Sequence, residues 1–354
     1  MVMILGIEVP SLFECHVGKC NQSIIDQELD RYYARGIRYI FPVQAIDNAF
    51  GGAALFTNFY NIVNKEVNGT YFNLIPCEAS GFSRNQVNFD GNFTQLQRIT
   101  NQVVTGSETA PNYPPSDSGY CNSRGLTPLG EYLIRGLMRR GMFVDIDHMS
   151  AVMVRQVRQI AQAENYPLMS SHSGFIDLYE SRAEHLRTSQ DVESIRDTGG
   201  VIGPISHQKK FNEAYRNPDE CPGSSRSFAT VFRYLKGFFV AKDLPPAIAI
   251  GTDANGYALV LGPRFGDEAC EGGSNSQANP VTYPFDSLDK NGYFTPLKTG
   301  DRTFDYNTEG LATVALLPEF TQDLGRTGMH KEDLTDFFNS AEQFIRAWEK
   351  IEAR

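Results

Sequence analysis

Four apolar runs in this chain each end in side chains that can ligate a metal ion. Ile4-Leu5-Gly6-Ile7 leads to Glu8, Met142-Phe143-Val144-Asp145-Ile146 to Asp147 and His148, Leu168-Met169-Ser170-Ser171 to His172, and Ala247-Ile248-Ala249-Ile250-Gly251-Thr252 to Asp253. Two imidazoles with carboxylates are the donors that catalytic zinc takes when one coordination position stays open for water. An ion held this way polarises a carbonyl and brings the pKa of its water down toward about 7. The donor set therefore reads as that of a metal-dependent hydrolase, with Glu8, His148, His172 and Asp253 as ligands and Glu8 and Asp253 as the catalytic carboxylates, Asp253 taking up a proton. Zinc, one ion or two, is the expected metal; manganese, iron and cobalt suit the same donors.

Groups so distant in sequence can meet only if the fold gathers them. Parallel strands do so, because their carboxyl-terminal ends converge on one face of a βα barrel. Strand-like runs are read at 3–8, 37–43, 142–148, 168–173, 201–206 and 247–253. Between them lie helices with recognisable punctuation. Thr127-Pro128 opens a periodic run that stops at Gly141, Ser150 can cap a helix through about Ala163, and Thr188-Ser189-Gln190-Asp191 has the form of a capping box ahead of Gly199-Gly200. Strand and helix alternating at this spacing predict an α/β fold with a parallel sheet. An eight-stranded barrel needs two strands more than are found. Residues 64–124 and 256–307 are rich in Asn, Gly, Ser and Pro and read as long insertions on the ligand face, candidates for lids and substrate walls. Residues 308–353 read as two helices around Gly325 to Gly328 that cover the sheet from outside.

Composition narrows the partners. The chain has 354 residues and a net charge of −10, with no run of lysines and arginines, which argues against a nucleic-acid groove or an anionic membrane surface. No apolar run approaches the roughly 20 residues of a membrane helix, and Met1-Val2-Met3 reads as a strand entry, lacking the basic stretch and cleavage site of a signal peptide. The six cysteines, Cys15, Cys20, Cys77, Cys121, Cys221 and Cys270, all fall outside the apolar runs. That placement suits disulfides between surface loops, with Cys15 and Cys20 the most local pair, and points to an extracytoplasmic or secreted location. Six thiols in a cytosolic enzyme is the competing reading. The sequons at Asn21, Asn68 and Asn92 add little in an Asn-rich chain.

Taken as a series, Gly125-Leu126-Thr127-Pro128-Leu129-Gly130, Asp145-Ile146-Asp147-His148-Met149-Ser150, Ser171-His172-Ser173, Gly251-Thr252-Asp253-Ala254-Asn255-Gly256 and Asn307-Thr308-Glu309-Gly310-Leu311 resemble the membrane dipeptidase (renal dipeptidase) family. Those proteins are zinc-dependent members of the amidohydrolase superfamily. The resemblance runs from Ile4 to about Trp348, apart from the two insertions, and Asp47-Asn48-Ala49-Phe50-Gly51-Gly52-Ala53 is similar to a bacterial-type subgroup. It implies a (β/α)8 barrel of the amidohydrolase type over a single domain, 1–354, and a dipeptide-like substrate. Glu8 would take the place of the carboxylate bridging two metals, His148 and His172 those of the imidazole ligands of the second, and Asp253 that of the aspartate beside the metal-bound water. The family's first strand, with its His-x-Asp pair, has no counterpart, so the resemblance is to a barrel lacking its first strands through N-terminal truncation. Glu8, His148 and His172 would still suffice for one zinc with an open site.

Around this set, other residues carry two readings each. His207 could contact substrate or be a solvated loop histidine beside Lys209-Lys210. Arg187 matches an arginine-containing stretch that would anchor a substrate carboxylate, with Arg182 competing. Asp145 and Asp147 could support the ligands from behind or be acids ahead of a helix. Gln44 ends a strand where related hydrolases would carry a histidine. Asp253-Ala254-Asn255-Gly256 starts like a calcium loop but meets Arg264 where the bidentate Glu belongs. There is no G-x-S-x-G elbow and no P-loop. Two further functions stand beside the dipeptidase: an impaired or purely binding relative on the same scaffold, and a lactonase or esterase of the same superfamily. A homodimer is compatible with all three.

Overall fold

The computed structural model describes residues 3–82, 93–113, 115–179, 183–207, 211, 221–253, 261–272, 278–287 and 289–354. Asn92, Arg182, Lys209, Lys210, residues 254–256 and residues 273–277 lie outside them. The chain packs as two compact units, one of Met1–Ser170, Ser181–Val201 and Phe344–Arg354, the other of Ser171–Glu180 and Ile202–Gln343.

The first unit is built on parallel strands β1 (Leu5–Ile7), β2 (Ile37–Ile40), β5 (Phe143–Asp145) and the start of β6 (Leu168–Ser173), with the antiparallel pair β3 (Leu74–Pro76) and β4 (Tyr120–Asn122) lying between β2 and β5 in sequence. Their hydrogen-bonded order is β1-β2-β5-β6; β7 is Val201–Pro204. Every residue of β5 and the first half of β6 is buried, as strands covered on both faces require, whereas β1 ends the row with Leu5 45% exposed. Helices follow strands. α1 (Gln22–Ala34) joins β1 to β2, α2 (Asn58–Asn68) and α3 (Gln95–Thr105) lie within the long connection after β2, and α4 (Pro128–Arg139) leads into β5. α5 (Ala151–Ala163) links β5 to β6, and α6 (Ser189–Thr198) precedes β7. The helix starts read from sequence are the observed ones: Thr127 accepts from the Gly130 N–H at 2.9 Å, Ser150 from Met153 at 3.1 Å, and Thr188 with Asp191 forms a complete capping box. The C-terminal helix Ser340–Glu352 lays Phe344 and Trp348 against Phe143, with ring centroids 4.7 and 5.7 Å away.

In the second unit the end of β6 is bonded to the chain after β7 through Ile205 N–H to Ser173 O, and residues 247–251 run parallel to β7, bridging Ile202 to Ile248 and Ile205 to Gly251. Five of the six strands predicted from sequence are observed as strands and the sixth as a stretch bridged to β7 and the residue after it, and the α/β class with parallel strands holds. α7 (Ser225–Val240) packs Phe228 and Phe232 against Phe337 and is followed by the 247–251 stretch.

Two expectations are corrected. The stretch 64–124 is structured: it holds the end of α2, all of α3, and the β3–β4 pair stapled by a disulfide between Cys77 and Cys121. The C-terminal part contains three helices of eight residues or more, Leu317–Arg326, Lys331–Phe338 and Ser340–Glu352, because the chain breaks again at Asn339, which caps the second of them. All six cysteines are paired, as Cys15–Cys20, Cys77–Cys121 and Cys221–Cys270. These bonds are compatible with an oxidising, extracytoplasmic location. Among the described residues no helix is long and apolar enough to cross a membrane.

Candidate metal centre

Glu8 follows β1 directly and His148 stands three residues past the end of β5. Their side chains meet, with Glu8 Oε1 2.9 Å from His148 Nε2. Both are partly open, at 32% and 29% side-chain exposure, so a ligand could reach them. Two donors sharing one tetrahedral ion at about 2.0–2.1 Å would stand about 3.3 Å apart, so an ion fits here with a small outward movement of either side chain.

His148 reaches this position through an uncommon backbone. Its φ is +64°, in the left-handed region, where a side chain costs about 1–2 kcal/mol. The turn is held against a second buried turn. His148 O accepts from the Ala54 N–H at 2.7 Å, Ala53 bridges Met149, and Ser150 N–H donates to Gly52 O at 2.8 Å. Gly52 must be glycine, since a Cβ there would lie 2.1 Å from Arg124 O. This explains the Asp47–Ala53 segment: Asp47 accepts from the Ala53 N–H and the Asn122 side-chain amide, while Asn48 caps Phe50 N–H and donates to Pro42 O.

Behind His148 the two aspartates of β5 and its turn are buried and engaged. Asp145 accepts from the Tyr39 hydroxyl and from the Asp147 N–H, and Asp147 accepts from Ser170 Oγ at 2.6 Å. Arg187 lies beside Asp147, with Nε 3.8 Å from its carboxylate, and donates to Ile146 O and His185 O. It is 1% exposed. A substrate carboxylate would reach it only by displacing these partners.

His172 is carried by β6, whose register on β5 pairs Val144 with Leu168 and Asp145 with Met169. In the second unit His172 Nδ1 lies 3.0 Å from Ser171 Oγ. There, too, Asp253 is exposed, two residues past the bridge residue Gly251, with φ +47°, and His207 is half-buried just past the Ile205 bridge.

Of two further buried carboxylates, Glu184 escaped the sequence reading and Asp47 was read only as part of the Asp47–Ala53 segment. Glu184, 1% exposed, accepts from the N–H groups of Leu55 at 2.8 Å, Ala151 at 3.0 Å and Asn122 at 3.1 Å. Desolvation pushes its pKa up to about 7, opposed by those N–H groups and reinforced by the charge of Asp47. Burial likewise raises Asp47 to about 6 against the Ala53 N–H, the Asn122 amide and Arg124.

The parallel βα order and the strand-end donors define an α/β scaffold that carries a candidate metal site. Residues 100–261 match the family model of Membrane dipeptidase (Peptidase family M19). The mouse protein "Dipeptidase 3" is 30% identical over 84 residues, which are 23% of this chain and 16% of that protein. The chain thus matches about a sixth of that relative's length. Among solved structures, an amidohydrolase from Pseudomonas aeruginosa is 14% identical with a TM-score of 0.49, covering 96% of this chain and 72% of that one. A metallo peptidase from Rhodobacter sphaeroides, liganded with a phosphinate mimic of the dipeptide L-Ala-D-Ala, is 13% identical with a TM-score of 0.46, covering 94% and 61%. Residues 100–261 are thus similar to the membrane dipeptidase family.

Proposed function

We propose that the chain is a metal-dependent hydrolase of the dipeptidase kind, cleaving the amide bond of a small, dipeptide-like substrate. Glu8 and His148, which meet in the first unit, and His172, which the series of motifs adds to them, are its ligands in this reading. The observation that carries it is the meeting of Glu8 Oε1 with His148 Nε2 at 2.9 Å.

A bound divalent ion, zinc by the chemistry of two imidazoles and a carboxylate, supplies Lewis acidity and a water acidic enough to lose a proton near neutral pH. The residues do the rest. His172 Nδ1 lies 3.0 Å from the Ser171 hydroxyl, so His172 would hold an ion through Nε2. The left-handed turn at His148 fixes the direction from which its ring enters. Asp253 takes the proton released by the attacking water and returns it to the leaving amine. His207, past the end of β7, contacts the substrate, and Arg187 supports the His148 turn through Ile146 O.

The test is hydrolysis of a panel of L,L- and L,D-dipeptides by protein loaded with zinc, beside the same protein treated with chelator and an Asp253→Asn variant. Turnover that needs zinc and falls at least about 100-fold in Asp253→Asn supports the reading. Zinc-loaded protein that cleaves none of the dipeptides but opens lactones would move the substrate class to esters on the same site.

A further inference from the structure

We propose that Glu184 is a positioning residue for the metal centre, holding the turn that carries His148; this rests on the reading of His148 as a ligand. The geometry is specific. Two short segments lie antiparallel, Gly52-Ala53-Ala54 and His148-Met149-Ser150, and the residue that follows each, Leu55 and Ala151, turns its N–H to the same Glu184 carboxylate, at 2.8 and 3.0 Å. Asn122 on β4 supplies a third N–H. One side chain thus locks the register of the pair joined by Ala54 N–H to His148 O and Ser150 N–H to Gly52 O.

Ala151 is the first residue of α5, where N–H groups have no partner within the helix and the helix dipole favours a negative charge. The carboxylate also bears on the backbone strain. His148 sits at φ +64°, a conformation that persists only where its surroundings over-determine it. Glu184 acts from the Ala151 side of the turn. From the other side, Arg187 of the same segment donates to Ile146 O at 3.1 Å. The stretch 184–187 therefore grips both ends of residues 146–151, and His148 lies between the grips. Nothing in the Glu184 contacts touches the candidate ligands themselves, so its influence on an ion would pass through the backbone.

The experiment compares the full chain with Glu184→Gln, Glu184→Asp and Asp323→Asn, measuring zinc affinity by competition with a chromophoric chelator beside thermal unfolding. Asp323 is a buried carboxylate paired with Arg264 and serves as the control for a loss of stability alone. Zinc binding roughly 10-fold weaker or more in Glu184→Gln, partly restored in Glu184→Asp and unchanged in Asp323→Asn, is the expected result. If Glu184→Gln does not fold, Glu184→Asp carries the comparison. Glu184 variants that melt earlier yet bind zinc as tightly as the parent would reduce Glu184 to a structural residue and overturn the proposal. A parent that binds no zinc would instead sink the metal reading above. The positioning role is then read from the His148 ring resonance in histidine-labelled protein: displacement by Glu184→Gln but not by Asp323→Asn supports it, and an unmoved resonance overturns it.

Discussion

Glu8 and His148 are brought within 2.9 Å of each other by two strands that are not direct neighbours, β1 and β5, with β2 between them. As the protein stands, the carboxylate and imidazole satisfy one another. An ion between them would replace that hydrogen bond by two coordination bonds. Glu8→Gln keeps the shape and can still accept or donate to the ring, but removes the negative charge that favours a divalent cation. We expect zinc affinity to fall at least about 10-fold, with little change in melting temperature because both groups are partly exposed. Calorimetric titration of the variant with zinc checks this; unchanged affinity would remove Glu8 from the ligand set.

The buried carboxylates predict how stability depends on pH. Glu184 and Asp47 hold their protons to about pH 7 and about pH 6 in the fold, above their ordinary values of 4.5 and 3.8. Between the unfolded and folded pKa values the folded chain binds more protons than the unfolded one, so stability is greatest below about pH 4 as far as these groups are concerned and declines as pH rises to about 7. For Glu184 the decline amounts to about 3 kcal/mol. Urea unfolding across this range should show the fall, and Glu184→Gln should flatten the Glu184 part of it. A stability that rises steadily from pH 4 to 7 and is indifferent to the substitution would contradict the assignment.

The Cys77–Cys121 disulfide ties the ends of a segment with 44 residues of separation, on the strand that also presents Asn122 to Asp47 and Glu184. By loop-closure entropy its removal should cost about 4 kcal/mol. The Cys77→Ser, Cys121→Ser double variant, unfolded in urea beside the parent, measures it. Equal midpoints would mean that the insertion is held by its packing alone.

Gly52 is the tightest point of the turn that supports His148. A methyl group there would press on Arg124 O at 2.1 Å, so Gly52→Ala should destabilise by about 1–3 kcal/mol. Because Gly52 O accepts the Ser150 N–H, the same variant should bind zinc more weakly than its lost stability explains. A Gly52→Ala protein that matches the parent in both thermal unfolding and zinc titration would show that the two turns are not coupled.

How much of this was legible in the sequence depended on whether the signal was local. Each candidate ligand follows an apolar run, so residue type and run length alone were enough to place Glu8, His148 and His172 at or just past strands and Asp253 past the bridged stretch 247–251. The caps at Thr127, Ser150 and Thr188 lie within three or four residues of the groups they bond, and they too were readable. Glu184 was not, because its partners are backbone N–H groups of Leu55, Asn122 and Ala151, which any residue type supplies. Arg187 was singled out by its match to an arginine-containing stretch, whereas its place beside Asp147 depends on tertiary packing. The long stretch 64–124 read as loop because its helices are polar on most faces and its strands are three residues long, too short for alternation to register.

Metal content per folded chain tests the central claim most directly, by elemental analysis of protein purified without chelator and then incubated with zinc and desalted, beside the His148→Ala, His172→Ala double variant. The account predicts at least one tightly held divalent ion per parent chain and its loss in the double variant, with both proteins folded by circular dichroism. A folded parent that retains no metal would contradict it.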